Sequence, residues 1–179
     1  MKNLYKLWAI LAAIFMVGFV ALSVNAQTNR EVQVRIDWAT GNVCTFGEYD
    51  LMHTGFSYLA QTLHSTNTPD YECKMEKWGT NEKITVKSND LENPLVDPVI
   101  PAANVKIKHE VLADVSEWAC TLSNILSSAT YQDIAVAKEL FEKDNYTVCT
   151  VTGSTKLEIT VPASLPVWTY TGNITFAIY

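Results

Sequence analysis

The sequence has no Cys-x-x-Cys pair, no Gly-x-Ser-x-Gly elbow and no Asp-x-Asp-x-Asp-Gly loop. Zinc ribbons, α/β-hydrolase nucleophiles and EF-hand calcium loops are therefore not signalled. Histidine occurs three times, at His53, His64 and His109, with no spacing to a cysteine or to one another that suits a metal. Basic residues are scarce, 13 Lys+Arg against 19 Asp+Glu, so a phosphate backbone would be repelled and a nucleic-acid partner is not expected. Only 18% of residues are charged and glycine numbers seven, which excludes disordered and collagen-like chains. At 179 residues there is room for one domain with a real core, or for two very small ones.

What is present begins with a leader. Lys2 and Lys6 precede an apolar run from Leu7 to Val24, and Val24 and Ala26 put small residues three and one positions before Gln27. That pattern predicts a secretory signal over 1–26, cleaved after Ala26. The alternative is an uncleaved anchor, since about 18 apolar residues just suffice to span a bilayer. Either way residues 27–179 are expected outside the cytoplasmic membrane as one domain, touching a membrane only through the leader. Without Lys2 and Lys6, 11 basic residues face 19 acidic ones, a net charge of −8.

All four cysteines, Cys44, Cys73, Cys120 and Cys149, follow the leader. An even count in an exported chain predicts two disulfides. Three pairings are possible. Cys44 to Cys73 and Cys120 to Cys149 are both 29 positions apart, a separation that returns nearby antiparallel strands to each other, and this pairing is favoured. Each bridge is worth about 3 to 4 kcal/mol on the loop-entropy model.

Period-2 alternation dominates the rest. Val32, Val34, Ile36 and Trp38 share one side of 31–38, with Gln33, Arg35 and Asp37 on the other. The period returns at 83–87, 104–108 and 155–161, with less regular strands near 56–63, 71–77, 111–116 and 147–152. In the terminal strand Trp168, Tyr170, Gly172, Ile174, Phe176 and Ile178 share one face. Residues 133–143 read differently: Val136, Ala137, Leu140 and Phe141 make a helical stripe, with Asp133 and Lys143 suited to the two ends. Pro94, Pro98 and Pro101 bar 90–101 from a central strand and make it a long connection. The expected fold is mainly β: an immunoglobulin-like antiparallel β-sandwich of about eight strands with one short helix and two disulfides.

Tyr170-Thr-Gly-Asn-Ile-Thr-Phe-Ala-Ile178 resembles the Tyr-x-x-x-Leu-Thr-Trp-x-Leu ending of WxL-type bacterial cell-surface domains, and Ile159-Thr-Val-Pro-Ala163 is similar in style. Ile174-Thr-Phe-Ala-Ile-Tyr179 is similar to the alternating, aromatic-ended last strand of spore-coat-U and chaperone–usher pilin sandwiches. Phe46-Gly-Glu-Tyr-Asp50 resembles the Phe-Gly-x-Tyr-Asp segment of spore-coat-U domains. These resemblances imply an exported sandwich working in surface structures.

Candidate site residues follow. Val32, Val34, Ile36 and Trp38 could form the first strand of their own sandwich or a strand donated to a neighbour. Trp38, Trp78, Trp118 and Trp168 could stack on sugars, but Trp38 and Trp168 are expected inward, which leaves Trp78, beside Gly79, as the exposed candidate. Asn89, Asp90, Glu92, Asn93 and Asp97 offer oxygens such as calcium prefers, within a proline-broken connection read as solvated. Asp50, His53 and Ser57 are the one tight acid, base and nucleophile trio, at a spacing that need not converge. Asn145 and Asn173 begin glycosylation sequons. No enzyme activity and no cofactor are expected. The sequence predicts a structural or adhesive surface protein, of which a filament subunit using strand complementation is one form, with a secreted glycan- or ligand-binding module as the alternative. Its partners would be protein, either copies of itself or other surface proteins, or a surface glycan.

Overall fold

A computed structural model describes residues 29–38, 44–50, 52–55, 59–76, 81–117, 120–144, 148–163, 165–166 and 168–179. The leader read at 1–26 lies outside them. Among the described residues the strands are, in order, β1 (Asn29–Trp38), β2 (Cys44–Phe46), β3 (Met52–Gly55), β4 (Gln61–His64), β5 (Asp70–Met75), β6 (Glu82–Ser88) and β7 (Leu91–Asn93). They continue as β8 (Val96–Ile100), β9 (Val105–Asp114), β10 (Leu122–Ser123), β11 (Gln132–Asp133), β12 (Lys138–Lys143), β13 (Cys149–Val161) and β14 (Thr169–Ile178). A single 3-10 turn at Ala102–Asn104 is the one helical element among these residues.

The strands form two sheets. The first runs β10-β12-β6-β14-β1-β3, with the β7–β8 hairpin attached to β14; the second runs β11-β9-β13-β5-β2, with β4 beside the far half of β13. Every pairing is antiparallel except one: β1 runs parallel to β14. The inner faces share one core, in which Val32, Ile84, Val86, Phe141, Tyr170, Ile174 and Phe176 of the first sheet meet Tyr71, Met75, Val105, Ile107, Val151, Leu157 and Ile159 of the second. Tyr71 and Phe141 stack across the two layers, with ring centroids 6.2 Å apart and planes 15° from parallel. This is a sandwich-like β structure.

Both disulfides join the cysteines that the equal spacing favours. Cys44–Cys73 links directly opposed residues of β2 and β5 inside the second sheet, with Cα atoms 4.0 Å apart. Cys120–Cys149 ties the approach to β10 in the first sheet to the start of β13 in the second.

The structure corrects several expectations. The helix expected at 133–143 is absent: residues 132–133 form β11 and Lys138–Lys143 is strand β12. The apolar pair that suggested a helix comes from a bulge, because Glu139 lies opposite Thr85 and Phe141 opposite Ile84, leaving Leu140 as an extra residue. Leu140 and Phe141 are therefore both fully buried, whereas Val136 is 73% exposed. The strands expected near 104–108 and 111–116 are one strand, β9, bulged at Glu110, and those near 147–152 and 155–161 are one strand, β13. Hence there are more, and differently divided, strands than the eight expected. The 90–101 connection contains the β7–β8 hairpin; β8 pairs only with β7, an edge position that tolerates Pro98. The strand expected at 56–63 survives only as β4, and 56–58 lie outside the described residues.

Candidate functional site: the seam of the first and last strands

The seam between β1 and β14 brings together the two segments that the sequence singled out. Its register matches Val32 with Tyr170, Val34 with Gly172, Ile36 with Ile174 and Trp38 with Phe176, so the two apolar alternations run in step. Val32, Tyr170, Ile174 and Phe176 are fully buried and Val34 nearly so. Gly172 is required where it stands. A Cβ there would lie 2.8 Å from Leu91 Cγ and 3.1 Å from the Asp90 carbonyl oxygen, so its absence admits the buried Leu91 of β7.

The two strands are held unequally. β14 is paired with β1 along one side and with β6 and β7 along the other. Beyond β14, Tyr179 exchanges two backbone hydrogen bonds with Lys83, at 3.0 and 3.1 Å. The Asn93 amide group also donates to the Thr169 carbonyl at 2.6 Å. On its outer side β1 pairs with β3 only from Asn29 to Val32. Among the described residues, no strand covers the outer edge of 33–38.

Trp168, expected inward at the head of the terminal strand, is 40% exposed and precedes β14. Its neighbour Tyr170 takes the inward place instead, its hydroxyl donating to the Pro166 carbonyl at 3.2 Å. Trp78 and Trp118 lie outside the described residues, so the sugar-stacking candidate is not placed. Of the Asp50, His53 and Ser57 trio, Ser57 lies outside the described residues, so the trio is not placed. The Asp50 carboxylate accepts from the Thr66 hydroxyl at 3.1 Å, and His53 sits on β3 opposite Glu31. Two of the calcium-like oxygens brace the hairpin: Asp90 Oδ1 accepts from the Ala102 amide and Asn93 Oδ1 from the Leu95 amide, both at 2.7 Å. The described residues contain no group of three or more His, Cys, Asp or Glu placed to hold a metal. Of the sequons, Asn145 lies outside the described residues and Asn173 is half-buried within β14, opposite Arg35.

Sequence reasoning missed the polar groups of the core. His109, on the inner face of β9, is 1% exposed. Its Nε2 lies 2.9 Å from the Tyr71 hydroxyl and its Nδ1 3.1 Å from the Leu126 carbonyl oxygen. A neutral ring that donates from Nδ1 to the carbonyl and accepts at Nε2 from the phenol satisfies both contacts. Burial pushes the His109 pKa down and those of Tyr71 and Tyr49 far up, so all three are neutral at ordinary pH. The Tyr49 hydroxyl meets Thr155 Oγ1 at 2.5 Å. Between the ends of β6 and β12, Lys143 Nζ donates to Glu82 Oε2 at 2.9 Å with both side chains almost wholly buried. These groups are bonded to one another inside the core, and the arrangement braces the sandwich. The only signal in the sequence was a charged or polar residue standing at an inward position of an alternating run.

Compared with known proteins, the chain matches no family model, and it matches no curated protein. Its disulfides are consistent with an exported protein. No helix among the described residues is long and apolar enough to cross a membrane.

Proposed function

We propose that the chain is an exported structural or adhesive component of the cell surface, a subunit that joins to its own copies by exchanging β1. The observation that carries this reading is the unequal hold on the seam. β1 buries Val32 and Val34 against β14, yet among the described residues its other side is paired only as far as Val32. Residues 39–43 link β1 to β2, and the Cys44–Cys73 bridge pins the chain immediately after that link. Withdrawal of β1 would stop at the bridge and leave the second sheet intact. Because a neighbouring copy offers the same register and the same apolar partners, exchange replaces each lost contact with an identical one. The resemblance of 170–179 to the last strands of WxL-type and pilin-like sandwiches supports the same role, as does the leader read at 1–26.

The test is the assembly state of residues 27–179, followed by sedimentation and electron microscopy across a range of concentrations, alongside a variant lacking 27–38. The expected outcome is ordered oligomers or fibres from the intact form, with the shortened variant unable to propagate them and binding a peptide of residues 27–38. An intact form that stays monomeric, together with a folded short variant that ignores the peptide, would remove the proposal.

A further inference from the structure

The outer face of the second sheet carries an open trough of about 600 Å³. Strand register sets its side chains in two rows. In one, Thr45 lies opposite Glu72 and Glu72 opposite Thr152. In the other, Asp70 lies opposite Ser154, and Ser154 opposite Val111. With strands ~4.8 Å apart and alternate residues ~7 Å apart, the rows form a patch of roughly 10 by 7 Å, the breadth of one or two sugar rings.

The hydrogen-bonding capacity of this patch is unspent. Among the described residues the side chains of Thr45, Asp70, Glu72 and Thr152 take part in no hydrogen bond or ion pair. Ser154 lines the same trough at 4% exposure, its hydroxyl likewise without a partner. What exposure Ser154 keeps opens on the trough, so its hydroxyl is within reach of water or of a ligand oxygen that replaces it.

The lining chemistry narrows that ligand. Two carboxylates accept only, three hydroxyls both donate and accept, and no cationic side chain among the described residues lines the trough. Phosphorylated, sulfated or uronic ligands would meet repulsion. A divalent ion would find two carboxylates two residues apart on one strand and none of the groups of three suited to a metal among the described residues. A neutral sugar fits each feature. Adjacent ring hydroxyls can both donate to one carboxylate, their oxygens accept from Thr152, Thr45 and Ser154, and Val111, 57% exposed at the edge, offers an apolar contact to the C–H face of the ring.

We propose that this trough binds a neutral saccharide unit, held through its hydroxyls by Asp70 and Glu72 and packed against Val111. The site lies on the sheet that does not contain β1, so its failure and the failure of strand exchange are separately visible.

The experiment is an amide-resolved NMR titration of residues 27–179 with maltose, cellobiose and N,N′-diacetylchitobiose, each to ~10 mM, where a millimolar site is nearly filled. Saturable shifts confined to β5, β13 and the neighbouring part of β9 are expected with at least one of them. Asp70→Asn and Glu72→Gln, each removing one charged acceptor from an exposed position, should weaken that binding at least tenfold. Ser154→Val should abolish it, while Glu76→Gln, beyond the trough, should leave it unchanged. Melting curves matching the parent verify that each variant is folded. Silence with all three sugars overturns the proposal, as does binding indifferent to both Asp70→Asn and Glu72→Gln. Shifts of the same amides by calcium chloride or spermidine, with the sugars silent, overturn it in favour of a cation site.

Discussion

Replacing Gly153 by alanine tests whether the crossing of Tyr71 over β13 holds the second sheet together. Tyr71 lies directly opposite Gly153, and its ring passes over that residue to reach His109 on β9. An added methyl carbon would stand 2.5 Å from Tyr71 Oη and 2.6 Å from both Tyr71 Cζ and the Val111 carbonyl oxygen. These are far inside ordinary contact, about 3.5 Å or more for carbon. Neither neighbour yields easily: the carbonyl belongs to the bulged β9 backbone, and the ring is buried against Phe141. Overpacking of this kind costs about 1 to 3 kcal/mol. If the ring swings aside, His109 Nε2 loses its donor, and a buried acceptor left unpaired costs about 1 to 3 kcal/mol more. The expected loss is therefore about 2 to 6 kcal/mol, a fall in Tm of roughly 5 to 20 °C for a chain of this size. Urea unfolding with the disulfides intact measures it. In a Tyr71→Ala background the same substitution meets only the Val111 carbonyl and should cost at least ~1 kcal/mol less. A Gly153→Ala loss below about 0.5 kcal/mol, or strict additivity with Tyr71→Ala, would refute the reasoning.

The buried His109 gives the fold a pH dependence of definite sign. Its folded pKa is depressed by burial, so below about pH 6.5 the unfolded chain binds a proton that the folded one refuses, and stability falls as pH falls. The nearest charges on its own strand, Lys108 and Glu110, pair with each other at 2.8 Å and do not neutralise an imidazolium. Urea midpoints should drop between pH 7.5 and 5 with a slope approaching ~1.4 kcal/mol per pH unit from this group, and His109→Gln should lack that component. Lys143→Met alone should cost about 3 to 5 kcal/mol because it removes the cation that Glu82 pairs with in the core, whereas Lys143→Met with Glu82→Leu should recover most of the loss; equal losses in the two variants would contradict the pairing. Removing either disulfide by paired Cys→Ala substitution should lower stability by about 3 to 4 kcal/mol, read by calorimetry, and a negligible change in both would show that the bridges constrain little.

The strands that sequence reading located best are those whose inward residues are all apolar. The central inward residues of β1, β6 and β14 are of this kind, Val32 and Val34, Ile84 and Val86, and Tyr170, Ile174 and Phe176, and alternation finds these strands to within a residue or two at most of their ends. Where the reading failed, a local device had interrupted the period. Leu140 is the surplus residue of a bulge, and it turns a period-2 run into an adjacent apolar pair that imitates a helix. Lys143 then appears to be a solvated helix end, when it is an inward strand residue neutralised by Glu82 on β6, 61 positions away in the chain. Gly153 splits β13 for the eye because glycine reads as a break, yet it marks the place where Tyr71 must pass. The trough was illegible for a related reason. Asp70, Glu72, Thr152 and Ser154 look like the solvent-facing half of two strands, and only the register that sets them opposite each other makes them one surface.

The first disulfide has a consequence for both proposals. Cys44 and Cys73 are directly opposed on β2 and β5, and the next register pair, Thr45 with Glu72, belongs to the trough. The bridge thus fixes the spacing of one row of ligand-facing side chains, which reduces the ordering that binding must impose on them. The same bond anchors the chain just after the link from β1, so a strand leaving the first sheet would stay tethered at the β2–β5 edge of the second. In a polymer built by exchanging β1, the moving element and the recognising surface would lie on opposite layers of the sandwich. Each subunit could then be captured by its neighbour while its outer sheet keeps the shape it had alone, which is the separation of tasks that an adhesive filament requires.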